Sequence, residues 1–282
     1  MNRIIIYFFL LLFMAGFNLT SCTEKAQTPE DLGWQLCVGS YTFRLFTFAE
    51  ALDKVESLGV KYIEMATRQE IGGGIEGTTA YTMDKSTQQA ILELSAKHGI
   101  EILSYGVITG RDEDEWNAIF KFAKDMGIQT ILSEPKPDQL DLVERLADKY
   151  EINVAIHNHA VPTQYWKPEF VKEVLEGRSK RMGACADIGH WVRSGLDPLE
   201  CMKTLEGRII NFHFKDMNQE GLEGHNVIWG TGVIDVKALM QEMKRQNFKG
   251  QITVEYEYNW ENNVPEISES LENFRLFTKE LK

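Results

Sequence analysis

From Leu36 to the end of the chain, short apolar runs alternate with amphipathic stretches of helical period. The runs cover residues 36–43, 62–66, 101–107, 130–134, 153–159, 182–187, 209–215 and 251–257. Each is rich in β-branched or aromatic side chains and has little polar alternation, which is how a strand buried on both faces of a parallel sheet reads. Between them, apolar positions recur at helical spacing over 48–58, 85–98, 114–126, 138–150, 168–175, 198–205 and 236–246, with 264–281 closing the chain. Asp197-Pro198 supplies a helix start, and Gly59, Gly99, Gly127, Gly177 and Gly207 stand where five helices should stop.

Eight strand-then-helix units in roughly 250 residues predict a (β/α)8 TIM barrel, an α/β fold made of one domain over residues 34–282. A doubly wound open sheet is the rival, but it would place a glycine-rich phosphate turn after its first strand. The triplet Gly72-Gly73-Gly74 instead follows the second strand and reads as a flexible loop.

Residues 1–22 read as an export signal. Arg3 gives a positive start, Ile4 to Phe17 an apolar segment short for a bilayer span, and Leu19-Thr20-Ser21-Cys22 a small-residue processing site. That tail resembles a bacterial lipoprotein box. The resemblance implies a lipidated Cys22 and an exported protein, periplasmic or at the cell surface, held at a bacterial membrane by its lipid alone. An ordinary secretory signal is the alternative. Residues 23–33 then form a polar tether. Cys37, Cys185 and Cys201 are too irregularly spaced for a disulfide framework and suit core packing.

A formal net charge of −12, with no basic stripe, excludes a nucleic-acid partner. The chemistry-bearing residues fall where barrel strands should end. Glu64 ends the second run, Glu134 the fourth, His157 and His159 the fifth, Asp187 the sixth, His213 and Lys215 the seventh, and Glu255 with Glu257 the eighth. Asp216 and His190 lie just beyond two of these ends. Period-two alternation puts His157 and His159 on one side of their strand. A lone strand-end histidine or carboxylate is usually structural. Burying so many ionisable groups at one barrel mouth is costly unless a cation or substrate offsets it. Tyr105, Trp191 and Trp229 lie near strand ends and could stack on a sugar ring, or simply cap the core.

The ordered set Asp187-Ile188-Gly189-His190, His213-Phe214-Lys215-Asp216, Trp229-Gly230-Thr231-Gly232 with Asp235, and Glu255 resembles the xylose isomerase-like TIM barrels. That superfamily holds sugar isomerases and epimerases, inosose dehydratase and endonuclease IV. The resemblance implies that Asp187, His213 and Glu255 bind one divalent metal ion (Mn, Co, Zn or Mg), and that His190 contacts substrate. It departs at the fourth ligand, where many epimerases have Glu and this chain has His157 in His157-Asn158-His159. Glu134 could supply the missing carboxylate, or His157 and His159 could serve as ligand and base. The His-Asn-His form also resembles an exported branch of sugar isomerase-like proteins.

The expected chemistry is proton abstraction next to a carbonyl through an enediolate, with Glu134, His159, Lys215 and Glu255 as catalytic candidates. Glu64, Tyr105, His190, Trp191 and Trp229 are the candidates for substrate contact. Sugar isomerisation or epimerisation is the first expectation. The alternatives are a lyase or hydratase acting on a keto-sugar or 3-keto-glycoside, and a non-catalytic carbohydrate-binding lipoprotein. A homo-oligomer is compatible with each.

Overall fold

The computed structural model describes residues 27–281, so Cys22 and the expected signal lie outside the described residues. Eight parallel strands, Trp34–Gly39, Tyr62–Ala66, Glu101–Gly106, Thr130–Ser133, Asn153–His157, Met182–Asp187, Ile209–Phe214 and Gly250–Val254, close into a barrel in chain order. The eighth strand closes the ring against the first, with Trp34 opposite Gly250 and Val38 opposite Val254. The helices Phe48–Ser57, Lys85–Lys97, Glu113–Asp125, Leu140–Tyr150, Pro168–Leu175, Pro198–Thr204, Val236–Arg245 and Val264–Glu280 surround it. This is the predicted (β/α)8 architecture in a single domain.

Local signals start and stop these elements as the sequence led one to expect. Thr47 and Glu50 form a reciprocal capping box at the first long helix, and Asp84, Asp112 and Asp235 each accept a hydrogen bond from the backbone three residues on. Such caps satisfy N–H groups that the first helical turn leaves without partners. The main apolar core lies between the strands' outer faces and the helices, with Trp34, Phe48, Trp116, Phe120, Phe214 and Phe274 fully buried. A separate cluster of Leu132, Ala155 and Cys185 fills the barrel interior below the mouth. Cys37, Cys185 and Cys201 are all free and buried, in keeping with packing roles.

Several strands end earlier than the apolar runs suggest. The first stops at Gly39 and passes into a 3-10 turn, Ser40–Phe43; the fourth, fifth, seventh and eighth stop at Ser133, His157, Phe214 and Val254. Glu134, His159, Lys215 and Glu255 therefore lie just beyond the ladder, where side chains crowd the mouth. The glycine triplet is the turn of a hairpin joining Glu70–Gly72 to Ile75–Thr78, not a loose loop. Gly72 has φ +71°, and a Cβ there would stand 2.5 Å from Thr47 Cβ. A short helix, Ile188–Arg193, follows the sixth strand with Asp187 as its cap. At the barrel base, the end of the expected tether is ordered: Glu30–Leu32 is a 3-10 turn, and Trp34 N donates to the Pro29 carbonyl at 2.9 Å. Among the described residues, no helix is long and apolar enough to cross a membrane.

Candidate metal centre and active-site cleft

Strands five to eight deliver four side chains to one point. His157 ends the fifth strand, Asp187 the sixth, His213 lies near the end of the seventh, and Glu255 follows the eighth. One donor atom from each lies within 4.8 Å of the others. His157 Nε2 is 3.4 Å from Asp187 Oδ2 and His213 Nδ1 is 3.6 Å from it, while His213 Nδ1 stands 3.1 Å from Glu255 Oε2. Neither imidazole nitrogen completes a hydrogen bond. Two fully buried, unpartnered nitrogens are costly in a folded protein unless something else takes their lone pairs.

Each ring is oriented from its far side. Glu134 Oε1 holds His157 Nδ1 at 3.1 Å, and Glu64 Oε1 holds His213 Nε2 at 2.8 Å. A carboxylate on one imidazole nitrogen fixes the tautomer and presents the other nitrogen as a ligand. Asp187 divides its oxygens: Oδ1 accepts from His190 N at 2.8 Å and caps the short helix, leaving Oδ2 to the cluster. Asn158, the middle residue of His-Asn-His, pins the Asp187 backbone by donating to its carbonyl at 3.0 Å and accepting from its N–H at 2.9 Å.

Beneath this point sits Lys215, fully buried, its Nζ 2.8 Å from Asp187 Oδ2, 2.7 Å from Glu255 Oε2 and 3.5 Å from Glu257 Oε2. Burial alone would lower its pKa, but the three carboxylates outweigh that and raise it. Gly189 makes room for the stem, since a Cβ there would lie 2.7 Å from Lys215 Cδ. Burial likewise pushes the Asp187 and Glu255 carboxyls up, but the Lys215 ammonium beside both, together with His213 beside Glu255, holds them well below the ordinary range. Glu134 would also rise on burial, yet hydrogen bonds from His157 and His159 bring it down to about 2. Burial lowers His190 to about 3, so it is a neutral ring, with Nδ1 accepting from Arg193 Nη1 at 3.4 Å. Arg193 Nη1 also donates to Glu257 Oε2 at 2.7 Å.

Above the cluster opens a cleft of about 260 Å³ lined by Tyr41, Glu64, His159, His190, Glu255 and Glu257 among others. His159 is the accessible imidazole, its side chain 46% exposed, with Nδ1 against Glu134. A larger groove of about 460 Å³ runs past Leu196 in a loop and Leu199 and Ala238 on the outer helices. None of the four candidate ligands lines it, whereas His157 and Glu255 line the smaller cleft.

Not every residue singled out in the sequence reaches this cleft. Tyr105 is buried with its hydroxyl donating to the Thr79 carbonyl at 3.0 Å. Trp191 is buried in the main core. Trp229 packs against Phe214 and Phe274, with ring centroids 4.7 and 5.6 Å away. All three fill the core rather than meet a ligand. Lys215 has no solvent exposure and is held by carboxylates, so it sets the position and charge of Asp187 and Glu255 rather than touching an oxyanion in the cleft. Glu64 lines the cleft, but both its oxygens are engaged, by His213 on one side and by Ser104, Gln251 and Thr253 on the other. Asp216 is no ligand either. Its carboxylate accepts from the backbone of Met217, Gly230, Gly232 and Ile234 and so folds the Trp229-Gly230-Thr231-Gly232 loop around itself. Arg193 and Asn158 went unnoticed in the sequence; only the His-Asn-His spacing hinted at a special role for the latter.

The family described as xylose isomerase-like TIM barrel matches residues 52–277. The chain belongs to that family. A crystal structure of a Parabacteroides distasonis protein superposes with a TM-score of 0.71 at 38% identity, covering 85% of this chain and 97% of that one. The IOLI protein, solved with a zinc atom bound, shares the family fold with a TM-score of 0.63 at 19% identity, covering 87% and 98%. Among curated relatives, the rhizopine catabolism protein MocC of Rhizobium meliloti is 28% identical over 132 residues, which are 42% of this chain and 40% of its own length. Inosose dehydratase of Lacticaseibacillus casei is 26% identical over 133 residues, 41% of this chain and 45% of its own. The chain thus spans less than half the length of the curated relatives it matches.

Proposed function

We propose that the protein is an enzyme that holds one divalent cation and removes a carbon-bound proton next to the carbonyl of a sugar or sugar derivative, with isomerisation or epimerisation as the outcome. The pair of buried, unpartnered imidazole nitrogens facing Asp187 and Glu255 carries this reading. Two nitrogen and two oxygen donors suit Mn²⁺, Co²⁺, Zn²⁺ or Mg²⁺, held by His157, Asp187, His213 and Glu255. Bound there, a divalent cation would polarise the substrate carbonyl and offset the negative charge that develops beside it.

The chain's own residues do the rest. His159 takes the proton: its Nδ1 is held by the ionised Glu134, which orients the ring and leaves Nε2 as the unbonded basic nitrogen. His190, neutral at the cleft wall, is placed to hydrogen-bond a substrate hydroxyl. Lys215 keeps Asp187 and Glu255 ionised and in place. Elimination of a β-oxygen substituent after the same first step is the second reading. What supports it is that His159 offers an unbonded base on one side of the cleft, whereas inversion would need a second group on the opposite face and Glu255 is tied to Lys215. Dehydration is also the activity named for the Lacticaseibacillus casei relative. Export and lipid anchoring through Cys22 remain part of the proposal and rest on residues 1–22.

The test is carbon-bound proton exchange with deuterated water, followed by NMR on a panel of ketoses and keto-sugars. Metal-loaded protein should exchange a proton next to the carbonyl, chelated protein should not, and His159→Ala should slow exchange by about 100-fold or more. Sugar binding with no exchange from any substrate would replace the enzymatic reading by a carbohydrate-binding one.

A further inference from the structure

Charge and shape at the mouth say more about the substrate than its carbonyl chemistry does. The cleft residues include the carboxylates Glu64, Glu255 and Glu257 but no lysine or arginine. Around the donor cluster, five carboxylates (those three with Glu134 and Asp187) face two permanent cations, Lys215 and Arg193. Both cations are already paired with those carboxylates. A divalent ion would still leave the balance negative. A phosphorylated sugar would meet that field without a bidentate partner to receive it, which costs rather than gains binding energy.

The volume carries the second half. About 260 Å³ falls below the ~300–1,000 Å³ of sites that enclose drug-sized ligands, so the enclosed part holds about one sugar ring. Tyr41 stands at the exit of this space, 39% exposed, and lines it. An exposed tyrosine is ordinarily mobile, but this one is braced. Arg44 Nη1 donates to its hydroxyl at 2.8 Å, the Trp260 ring meets it edge-on at 6.0 Å, and the Arg44 guanidinium lies 3.9 Å over Trp260. Arg44, a cation close to the rim, is thereby committed to holding aromatic rings.

We infer that the cleft takes an uncharged, non-phosphorylated sugar bearing a second ring, the first ring over the histidine cluster and the second laid on Tyr41. This rests on the cleft being the reaction site, as proposed above. Arg44 and Trp260 are positioning residues that hold the tyrosine face ready, so that little side-chain entropy is lost when the second ring docks.

Three ketoses that differ at one oxygen test it: D-fructose, D-fructose 6-phosphate, and isomaltulose, which carries a glucosyl ring on the same O6. Calorimetric titration of the metal-loaded protein should rank isomaltulose about tenfold tighter than fructose, with the phosphate weakest. Tyr41→Ala should bring the isomaltulose-to-fructose ratio close to one, Tyr41→Trp should preserve it, and Trp260→Ala should lower it partway. Phosphate binding as tight as fructose, an unchanged ratio in Tyr41→Ala, or no binding of any of the three would each overturn the inference. Proton exchange is read separately on the same samples. The expected binding order without exchange would overturn the proton-abstraction reading and leave the two-ring site standing; exchange with a preference for the phosphate would do the reverse.

Discussion

Asn158 makes no contact with the cleft, yet its side-chain amide fixes Asp187 through both backbone groups of that residue. Removing it in Asn158→Ala frees the Asp187 carboxylate to drift while every ligand remains present. Divalent-metal affinity should fall about 10–100-fold, the usual cost of losing an orienting partner; competition against a chromophoric chelator would measure it. Unchanged affinity would mean that the strand alone holds Asp187. Lys215 acts through charge instead. Lys215→Met leaves Asp187 and Glu255 buried without their ammonium, so urea unfolding of metal-free protein should show a loss of about 3–5 kcal/mol. Saturating Mn²⁺ should shrink that loss by supplying the missing positive charge. The four candidate donors could be picked out in the sequence because a histidine or carboxylate recurs at four successive strand ends, although any one of them alone would read as structural. Tyr105, Trp191 and Trp229 could not be placed, since an aromatic ring serves a core as well as a sugar and its burial depends on elements far along the chain. Asn158 and Arg193 were invisible for a related reason: their partners lie 29 and 64 positions away.

At the scale of elements, the eight strand-then-helix units could be read directly, because each is long enough to show its period. The helix Ile188–Arg193 spans fewer than two turns and its residues are nearly all buried, so no amphipathic stripe announces it. The Trp229-Gly230-Thr231-Gly232 segment could be matched as a motif but not explained until Asp216 was seen inside it. Gly232→Ala would drive a Cβ to 2.3 Å from Asp216 Oδ1. Overpacking of that kind should cost about 1–3 kcal/mol, seen as a lower melting temperature. Another element-level joint links Tyr81 to the helix Glu113–Asp125. The Tyr81 hydroxyl donates to Glu115 Oε1 at 2.6 Å, and Arg111 N and Nε donate to Oε2 at 2.7 and 2.8 Å. These bonds, Tyr81 first, lower the Glu115 carboxyl from 4.5 to about 2. A depressed folded pKa contributes stability that is complete above 4.5 and lost as pH falls toward 2. Tyr81→Phe should therefore destabilise by about 1 kcal/mol at pH 7, and urea unfolding at several pH values should show the gap closing in acid. A gap that stays constant to pH 2 would mean the bond does not discriminate between the two protonation states.

For the whole molecule, barrel closure is what makes the donor cluster. His157, Asp187, His213 and Glu255 come from four successive strands, and none of them is near another in sequence. In an unfolded chain they are unrelated side chains; in the closed ring two of them turn buried imidazole nitrogens without a hydrogen-bond partner toward one point. A cation that needs all four consequently binds the folded state and has little affinity for the unfolded one, so binding must appear as stability. Burial works against protonation of His213, but the nearby Cys185, Glu255 and Glu64 outweigh it and raise its pKa well above the usual value; a proton and a cation thus compete for Nδ1. Loading should accordingly release protons and weaken as pH falls. At a free concentration 100 times the dissociation constant, the gain is about 2.7 kcal/mol. Melting curves with Mn²⁺, Co²⁺, Zn²⁺ or Mg²⁺ should rise with concentration for at least one ion and return to baseline on adding EDTA. His157→Ala and Asp187→Ala should each remove the rise even where their own baselines differ from wild type. If none of the four ions shifts the melting temperature, the unpartnered nitrogens are serving some other ligand and the cation-binding assignment fails.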